Sequence, residues 1–322
     1  MRLQFIVSDQ TNPYWNIAVE NYLLSLPETE VVTLYLWKNR RTVVIGQNQN
    51  PFSECNVEAL EADGGYLMRR RTGGGAVYHD DGNINFSFVV PKALYDQTRQ
   101  FRVIQRAVAD FGIVAELSGR NDILTDGRKF SGNAFSKGKY QDLHHGTILI
   151  KGNMEDLQRY LKPKPAKLQK HGVASVRSRV VNLSELNPEI TSESIVPHLR
   201  KAFESEYSEH SEYSEYSEII KLPEVRALYE DFASPEWKYG RWRTFTAQRT
   251  AQFDWGGVEL SLTVDEARGV ITDVQIASDA LDLAALDTAR QLLTGASTAT
   301  PPQHDPNPIL DDILSLVYEL SM

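Results

Sequence analysis

The stretch Arg69-Arg70-Arg71-Thr72-Gly73-Gly74-Gly75-Ala76-Val77-Tyr78-His79-Asp80 sets three arginines directly before three glycines. The arginine fork donates several N–H bonds to phosphate or carboxylate and keeps its charge. Glycine has no Cβ, so backbone N–H groups can approach an anion closely. The combination suits a negatively charged, phosphorylated ligand. The competing reading is a glycine-rich hairpin whose arginines face solvent. A second dense segment, Asp126-Gly127-Arg128-Lys129-Phe130-Ser131-Gly132-Asn133-Ala134-Phe135, places Lys129 among small neighbours. Asp126-Gly127 and Lys137-Gly138 mark turns on either side, so Lys129–Phe135 reads as strand. Alternation then puts Lys129, Ser131, Asn133 and Phe135 on one face and Phe130, Gly132 and Ala134 on the other. His144 and His145 are adjacent, so in a strand they face opposite ways, which argues against a two-histidine metal site.

Common nucleotide and nucleophile motifs are missing. No glycine-rich loop ends in Gly-Lys-Ser/Thr, Gly73–Tyr78 lacks the third glycine of a dinucleotide fingerprint, and no serine elbow stands out. Cys55 is the single cysteine, so an intrachain disulfide is impossible; its readings are a small buried thiol or a nucleophile without an obvious base. The formal net charge of −9 disfavours nucleic acid as a partner and makes Arg69–Arg71 a local exception. No apolar run reaches the roughly 18 residues of a membrane span. The apolar part of Met1–Asp9 is too short for a secretion signal. Cytoplasmic residence, with no membrane partner, is the expectation.

The elements that must carry these residues alternate between strand and helix, an α+β pattern. Leu3, Phe5 and Val7 alternate, and Asn12-Pro13 opens a helix bearing Trp15, Ala18, Val19, Tyr22 and Leu23. Val31–Trp37 and Thr42–Gly46 read as strands joined by the turn Lys38–Arg41. Tyr66–Arg70 is a strand, and Ala76–Tyr78 with Asn83–Val90 reads as a hairpin around Asp81-Gly82. Leu94–Gly112 is a helix with Phe101, Ile104, Val108 and Phe111 on one face. Lys164, Lys167, Lys170, Arg177 and Arg179 form a basic run, either solvated surface or a face for an acidic protein. Ser205–Glu218 repeats every three residues and reads as a helix end or exposed acidic linker. Pro235–Gly240 closes a large domain, 1–245, and 246–322 forms a small α+β domain.

Several motifs together resemble the lipoate–protein ligases. They are Arg70–Asp80 with Gly82-Asn83, then Arg120-Asn121-Asp122-Ile123, Gly127–Ala134 and His144-His145-Gly146-Thr147-Ile148-Leu149. Val43–Gly46 with Gln49-Asn50-Pro51 also matches, as does Ser175–Val180 with Asn182-Leu183. Trp255-Gly256-Gly257-Val258-Glu259-Leu260 resembles the start of the C-terminal accessory domain of two-domain members. The resemblance spans almost the whole chain, in order. It implies a biotin/lipoyl-ligase fold, a mixed and mainly antiparallel sheet packed with helices. It also implies two steps: (R)-lipoate and ATP with Mg2+ give lipoyl-adenylate, and the lipoyl group then passes to a lysine. The acceptors implied are apo lipoyl domains of 2-oxoacid dehydrogenase E2 subunits and the glycine-cleavage H protein.

Carried over residue by residue, the resemblance makes Lys129 the catalytic charge between carboxylate and α-phosphate. Two anions meet there, against a repulsion on the order of several kcal/mol in a dry site. Arg70, Gly75, Ala76, Val77 and Tyr78 are the ATP and adenylate contacts implied. Asn121 and Asp122 are candidates for ribose or magnesium, Asp122 being the metal candidate. Gly74, Gly75, Trp37, Val44, His79 and Lys129 are the lipoate candidates; Trp37 and Val44 read equally as core, and His79 as a turn residue bonded to Asp80. Arg69 and Arg71 alternate away from Arg70 and read as surface charge. An octanoyltransferase would need a cysteine beyond the His-His-Gly segment, and none is there. The Arg-Gly and Asp-Gly-Arg-Lys segments look less like a biotin ligase. A lipoyltransferase that uses only preformed adenylate, and a noncatalytic adenylate-binding protein, stay as alternatives.

Overall fold

The structure, a computed structural model, describes residues 1–27, 30–119, 121–162, 180–207, 211–213, 216–239, 247–265, 269–298 and 300–318. Lys164, Lys167, Lys170, Arg177 and Arg179, the motif residues Ser175–Arg179 and Arg120, and the expected boundary at 245/246 lie outside the described residues.

In chain order the strands are β1 (Arg2–Val7), β2 (Val31–Trp37), β3 (Thr42–Ile45), β4 (Tyr66–Arg69), β5 (Val77–His79), β6 (Asn83–Pro91) and β7 (Glu116–Ser118). They continue with β8 (Asp122–Thr125), β9 (Arg128–Lys137), β10 (Gln141–Leu149), β11 (Ser211–Tyr213), β12 (Ala247–Phe253), β13 (Gly256–Asp265) and β14 (Val270–Ser278). The large sheet runs β11-β1-β2-β6-β10-β9-β8-β7, parallel at β11-β1-β2 and antiparallel from β2 onward. A second sheet, β4-β3-β5, and a third, β12-β13-β14, stand apart from it. The mixed α+β fold expected from the sequence is the one observed.

Helices cover both faces of the large sheet. On one face Phe101, Ile104 and Val108 of the helix Gln97–Ala109 pack with Leu199 and Phe203 of the helix Ile195–Tyr207. On the other, Ile17, Val19 and Leu23 of the helix Pro13–Ser25 pack with Val225 and Phe232. Central strands β2 and β6 are buried on both sides; β2 is a nearly continuous apolar run, while β6 alternates buried Asn83, Asn85 and Ser87 with Ile84, Phe86 and Phe88. The Asn12 side chain accepts from the Tyr14 N–H and Pro13 occupies the first turn, which starts the helix Pro13–Ser25 as the sequence predicts. Among the described residues no helix is long and apolar enough to cross a membrane.

Several local expectations are corrected. The expected hairpin of Ala76–Tyr78 with Asn83–Val90 does not form: β5 pairs with β3 in the second sheet, while β6 belongs to the large one. The Lys38–Arg41 connection is bent by buried anchoring: Asn16 Nδ2 donates to the Lys38 carbonyl and to Asn39 Oδ1, and Arg41 adopts φ 36°. After β5, Asp80 accepts from the Gly82 and Asn153 N–H groups, and Gly82 lies so close to the Lys151 carbonyl that a Cβ would sit 2.0 Å from it.

Of the Ser-Glu-Tyr repeat, residues 205–207 end the helix Ile195–Tyr207, one of the two expected readings, and two of its tyrosines are anchors: Tyr207 is buried, and Tyr216 stacks on Tyr35 at 6.1 Å and donates to Asn16 Oδ1. Between them β11 pairs in parallel with β1.

Arg69 is not surface charge. Its guanidinium is buried and donates to the carbonyls of Gly46, Gln47, Gln49, Trp237 and Lys238. Arg71 does stay near solvent, paired with Asp231 at 3.4 Å and lying over the Phe232 ring at 5.0 Å.

The third sheet packs on the helices Leu283–Leu293 and Pro308–Tyr318 around its own apolar cluster, including Leu260, Ile276, Leu286 and Ile313. Two backbone bonds tie this unit to the large one, Ser278 N–H to the Asn48 carbonyl and Gly74 N–H to the Ala280 carbonyl.

Replacing Arg69 by Met would remove the donor that five carbonyls share, of which Gly46 keeps the Gln49 N–H. The expected cost is about 3 kcal/mol or more, read as a lower midpoint in urea unfolding at unchanged slope.

Candidate active site

The turn Asp126-Gly127, with both residues at positive φ, closes the β8–β9 hairpin. One residue later the pairing shifts: Ile123 faces Ser131, but Leu124 faces Lys129. Phe130 is therefore the extra residue of a β-bulge. The expected alternation fails there. Lys129 joins Gly132 and Ala134 on one side, while Phe130 turns into the core with Ile123. A Cβ on Gly132 would come within 2.8 Å of Lys129 Nζ, so a side chain there would push the end of Lys129 aside. Lys129 Nζ meets Asp122 Oδ1 at 2.7 Å, each side chain about a third exposed.

The pair opens onto a cavity of about 390 Å³. Strand ends of the large and second sheets form its depth, with Ile17, Trp37, Val44, Met68, His79 and His145. The loop Gly74–Val77, with Arg70 behind it, forms one wall, and Asn121, Asp122 and Lys129 the other. Asp254, Trp255, Asp279 and Leu281 of the small unit close the third side. The cavity brings together every predicted site residue except Tyr78. That side chain points the other way, donating to Asp156 and packing on Tyr160, because β5 alternates and gives the cavity Val77 and His79.

Arg70 is engaged mainly with its own loop. Nη2 donates to the Gly73 and Gly75 carbonyls, both at 2.8 Å, Nη1 to the Val44 carbonyl at 3.3 Å, and Nε to Thr72 Oγ1 at 3.0 Å. Burial lowers its pKa to about 10, which still leaves it charged at neutral pH. Thr72 continues the row. Its Oγ1 lies 2.8 Å from His145 Nε2, and His145 Nδ1 lies 2.8 Å from Glu20 Oε2. Glu20 also accepts from Ser87, which accepts from Trp37 Nε1 at 3.0 Å. A neutral imidazole satisfies every atom: Arg70 donates to Thr72, Thr72 to His145 Nε2, and His145 Nδ1 to Glu20. His144 faces away, between Gln100 and Asn133, as adjacency in a strand requires.

His79 does not bond Asp80. Its Nδ1 lies 3.2 Å from Asn39 Nδ2, and burial, with Arg70 and His145 adding to it, lowers its pKa to about 3. Burial raises the Cys55 thiol to about 12, which removes the nucleophile reading. Among the described residues no three His, Cys, Asp or Glu side chains cluster as a metal site.

Sequence reasoning missed Glu20, His145 and Met68, whose helical or strand spacing reads as plain core. It missed Ala134 through the bulge, and Asp279 and Leu281 had no local signal.

The lipoyl protein ligase A/B catalytic domain model matches residues 12–204, and the bacterial lipoate protein ligase C-terminus model matches residues 243–300. The chain is 40% identical over 300 residues to lipoate-protein ligase A of Psychrobacter cryohalolentis, covering 91% of this chain and 88% of that one. The chain belongs to the lipoate–protein ligase family. The ligase is also similar to a solved structure of P. falciparum LipL1 in complex with lipoate, at 31% identity and a TM-score of 0.85, covering 98% of this chain and 99% of that one. A bipartite lipoate protein ligase from Thermoplasma acidophilum, solved with its E2 lipoyl domain, shares the fold at 23% identity and a TM-score of 0.68, over 77% of this chain and 100% of that one. The ligase is thus an enzyme that attaches lipoate to proteins.

Two outcomes are expected of the ligase. Thr72→Val cuts the row between Arg70 and His145 and should raise KM for lipoate about tenfold with a smaller change in kcat, while Thr72→Ser keeps both; steady-state pyrophosphate release reads the difference. His79 binds its proton more weakly folded than unfolded, so between about pH 6.5 and 3 the unfolded chain holds more protons and stability falls as pH drops. From pH 7 to 5 this group alone should remove about 2 kcal/mol, and His79→Phe should flatten that slope in urea unfolding.

Proposed function

We propose that this ligase works in two steps at the Lys129–Asp122 pair, with the division 1–245 as catalytic domain and 246–322 as accessory domain. In the first step a lipoate carboxylate oxygen attacks the α-phosphorus of ATP, and the bond to pyrophosphate breaks. Lys129 lines the same cavity as the apolar depth and the glycine loop, which supports placing its charge between the two anions. Trp37, Val44, Ile17 and Met68 surround the acyl chain, each methylene gaining about 0.8 kcal/mol on burial. Backbone at Gly75–Val77 and the side chain of Asn121 hold the adenylate, and Arg70 shapes that loop through its carbonyls. Mg2+ fits a site with one carboxylate, since it commonly takes one or two plus phosphate oxygens and waters; Asp122 would hold it and the ion would neutralise phosphate charge.

In the second step an acceptor lysine attacks the acyl carbon and AMP leaves. Only roughly one in a few thousand free lysines is neutral at pH 7. Asp122 or the neighbouring Lys129 charge would raise that fraction at the site. The acceptors are lipoyl domains of 2-oxoacid dehydrogenase E2 subunits and the glycine-cleavage H protein, and the proposed setting is the cytoplasm.

The observation that carries this reading is the ion pair Lys129–Asp122 at the mouth of a recess with apolar depth. Purified protein with lipoate, ATP and magnesium should release pyrophosphate and lipoylate an apo lipoyl domain, and Lys129→Ala should abolish both at unchanged melting temperature. Transfer from preformed lipoyl-adenylate without pyrophosphate release would make the protein a transferase only. Near-normal turnover of Lys129→Ala would remove Lys129 from its assigned role.

A further inference from the structure

Asn121 and Asp122 line two cavities. One is the cavity described above. The other is a groove of about 260 Å³ lined by Thr98 and Phe101 of the helix Gln97–Ala109 and by Leu117 and Ser118 of β7. β7 is the last strand of the large sheet. It pairs with β8 in antiparallel register, Ser118 opposite Asp122, and among the described residues no strand lies along its other edge. An edge strand presents backbone N–H and C=O groups that a further extended segment can pair with. The register sets this edge about 4.8 Å, one strand spacing, from the Asp122 backbone. From Ser118 the strand runs back away from Asp122, with Glu116 opposite Leu124.

The edge is open and partly apolar. Val114 is 75% exposed and Leu117 48%. The helix beside it is fixed to the same segment, since Gln105 Nε2 donates to the Ala115 carbonyl at 2.8 Å. That helix also carries Arg99, Arg102 and Arg106, which approach the single carboxylate of Glu206 at 3.6, 2.6 and 3.1 Å. One carboxylate cannot balance three guanidinium groups, and the Arg102 and Arg106 side chains are 42% and 50% exposed. Arg102 lies one helical turn from Thr98, so the positive charge borders the groove. In a chain of formal net charge −9 such a cluster favours an acidic partner.

We propose that the acceptor protein docks on this edge. An extended segment of it pairs with β7, lays an apolar side chain against Leu117 and Phe101, and sets its carboxylates toward Arg102 and Arg106. Its lysine then enters beside Ser118 and reaches Asp122 from the groove, while the adenylate keeps the larger cavity. The inference rests on the reading of Lys129–Asp122 as the reacting pair. Backbone pairing supplies affinity, and the arginines supply orientation and encounter rate.

The test separates the two steps. Pyrophosphate release from lipoate and ATP without acceptor reads the first, and lipoylation of an apo lipoyl domain at varied concentration reads the second. Leu117→Glu should raise KM for the domain about tenfold and leave kcat and pyrophosphate release within about twofold. Arg102→Gln with Arg106→Gln should raise that KM about fivefold and flatten its rise with salt. In the wild type, adding the apo lipoyl domain should slow amide hydrogen exchange in residues 114–118. Unchanged KM in both variants, or protection confined to other segments, overturns the docking and leaves the ligase reading standing. Loss of pyrophosphate release in Leu117→Glu also overturns it, because the groove would then serve the first step. Neither pyrophosphate release nor lipoylation by wild type overturns the ligase reading, and exchange in residues 114–118 still decides the docking.

Discussion

Two guanidinium groups have left water at consecutive positions, and the site is built on how they are compensated. Burying an ion costs several kcal/mol unless its donors are met. Arg69 and Arg70 leave β4 in opposite directions, as strand geometry requires. Arg69 gathers the carbonyls of Gly46, Gln47 and Gln49 with those ending the helix Pro235–Tyr239. Arg70 gathers those of Gly73, Gly75 and Val44. Polypeptide dipoles rather than carboxylates meet both charges directly. The nearest buried carboxylate, Glu20, reaches Arg70 only through His145 and Thr72. Loops that would otherwise be free to rearrange become ligands of a buried cation, which fixes the backbone around the glycines.

This arrangement separates structural charge from chemical charge. Arg70 spends its donors on its own loop, so it organises an anion site more than it touches the anion. Lys129 keeps a flexible stem and, among the described residues, pairs with Asp122 at a partly exposed mouth. An exposed pair in high dielectric is weak, on the order of 1 kcal/mol or less. In the mechanism proposed above, a nucleotide phosphate would take Lys129 from Asp122 at small cost, and the freed carboxylate would be available to a metal or to an incoming amine. A more deeply buried pair would resist that exchange.

The sequence disclosed the site better than the connections around it. Alternation and capping identify most strands and the helix after Asn12, because one buried face produces a regular pattern. The route of β3 and β5 into a separate sheet was not legible, since it depends on Asn16 reaching Lys38 and Asn39 from another element. Phe130 shows a different limit: a bulge adds one residue without any composition signal, and every alternation argument across it changes face. Arg69 shows a third, because two of its carbonyl partners, Trp237 and Lys238, lie 168 and 169 residues away. Tyr216 was hidden inside a repetitive acidic segment whose charge suggested solvent.

The three glycines that make the signature conspicuous answer to three separate constraints. A Cβ on Gly73 would lie 2.1 Å from the Ala280 carbonyl, so Gly73 is required by the approach of the small unit. Gly74 adopts φ +96°, where other residues are strained, and its N–H binds that same carbonyl. Gly75 has neither restriction: a Cβ there would meet nothing within 4 Å. Open space beside a backbone whose carbonyl is held by Arg70 is what a ligand needs to lie against the chain. Of the three, Gly75 is the position left open to a ligand. Gly73 and Gly74 instead join the loop to the edge Asp279–Leu281, which makes the third wall of the cavity a consequence of how the loop is folded.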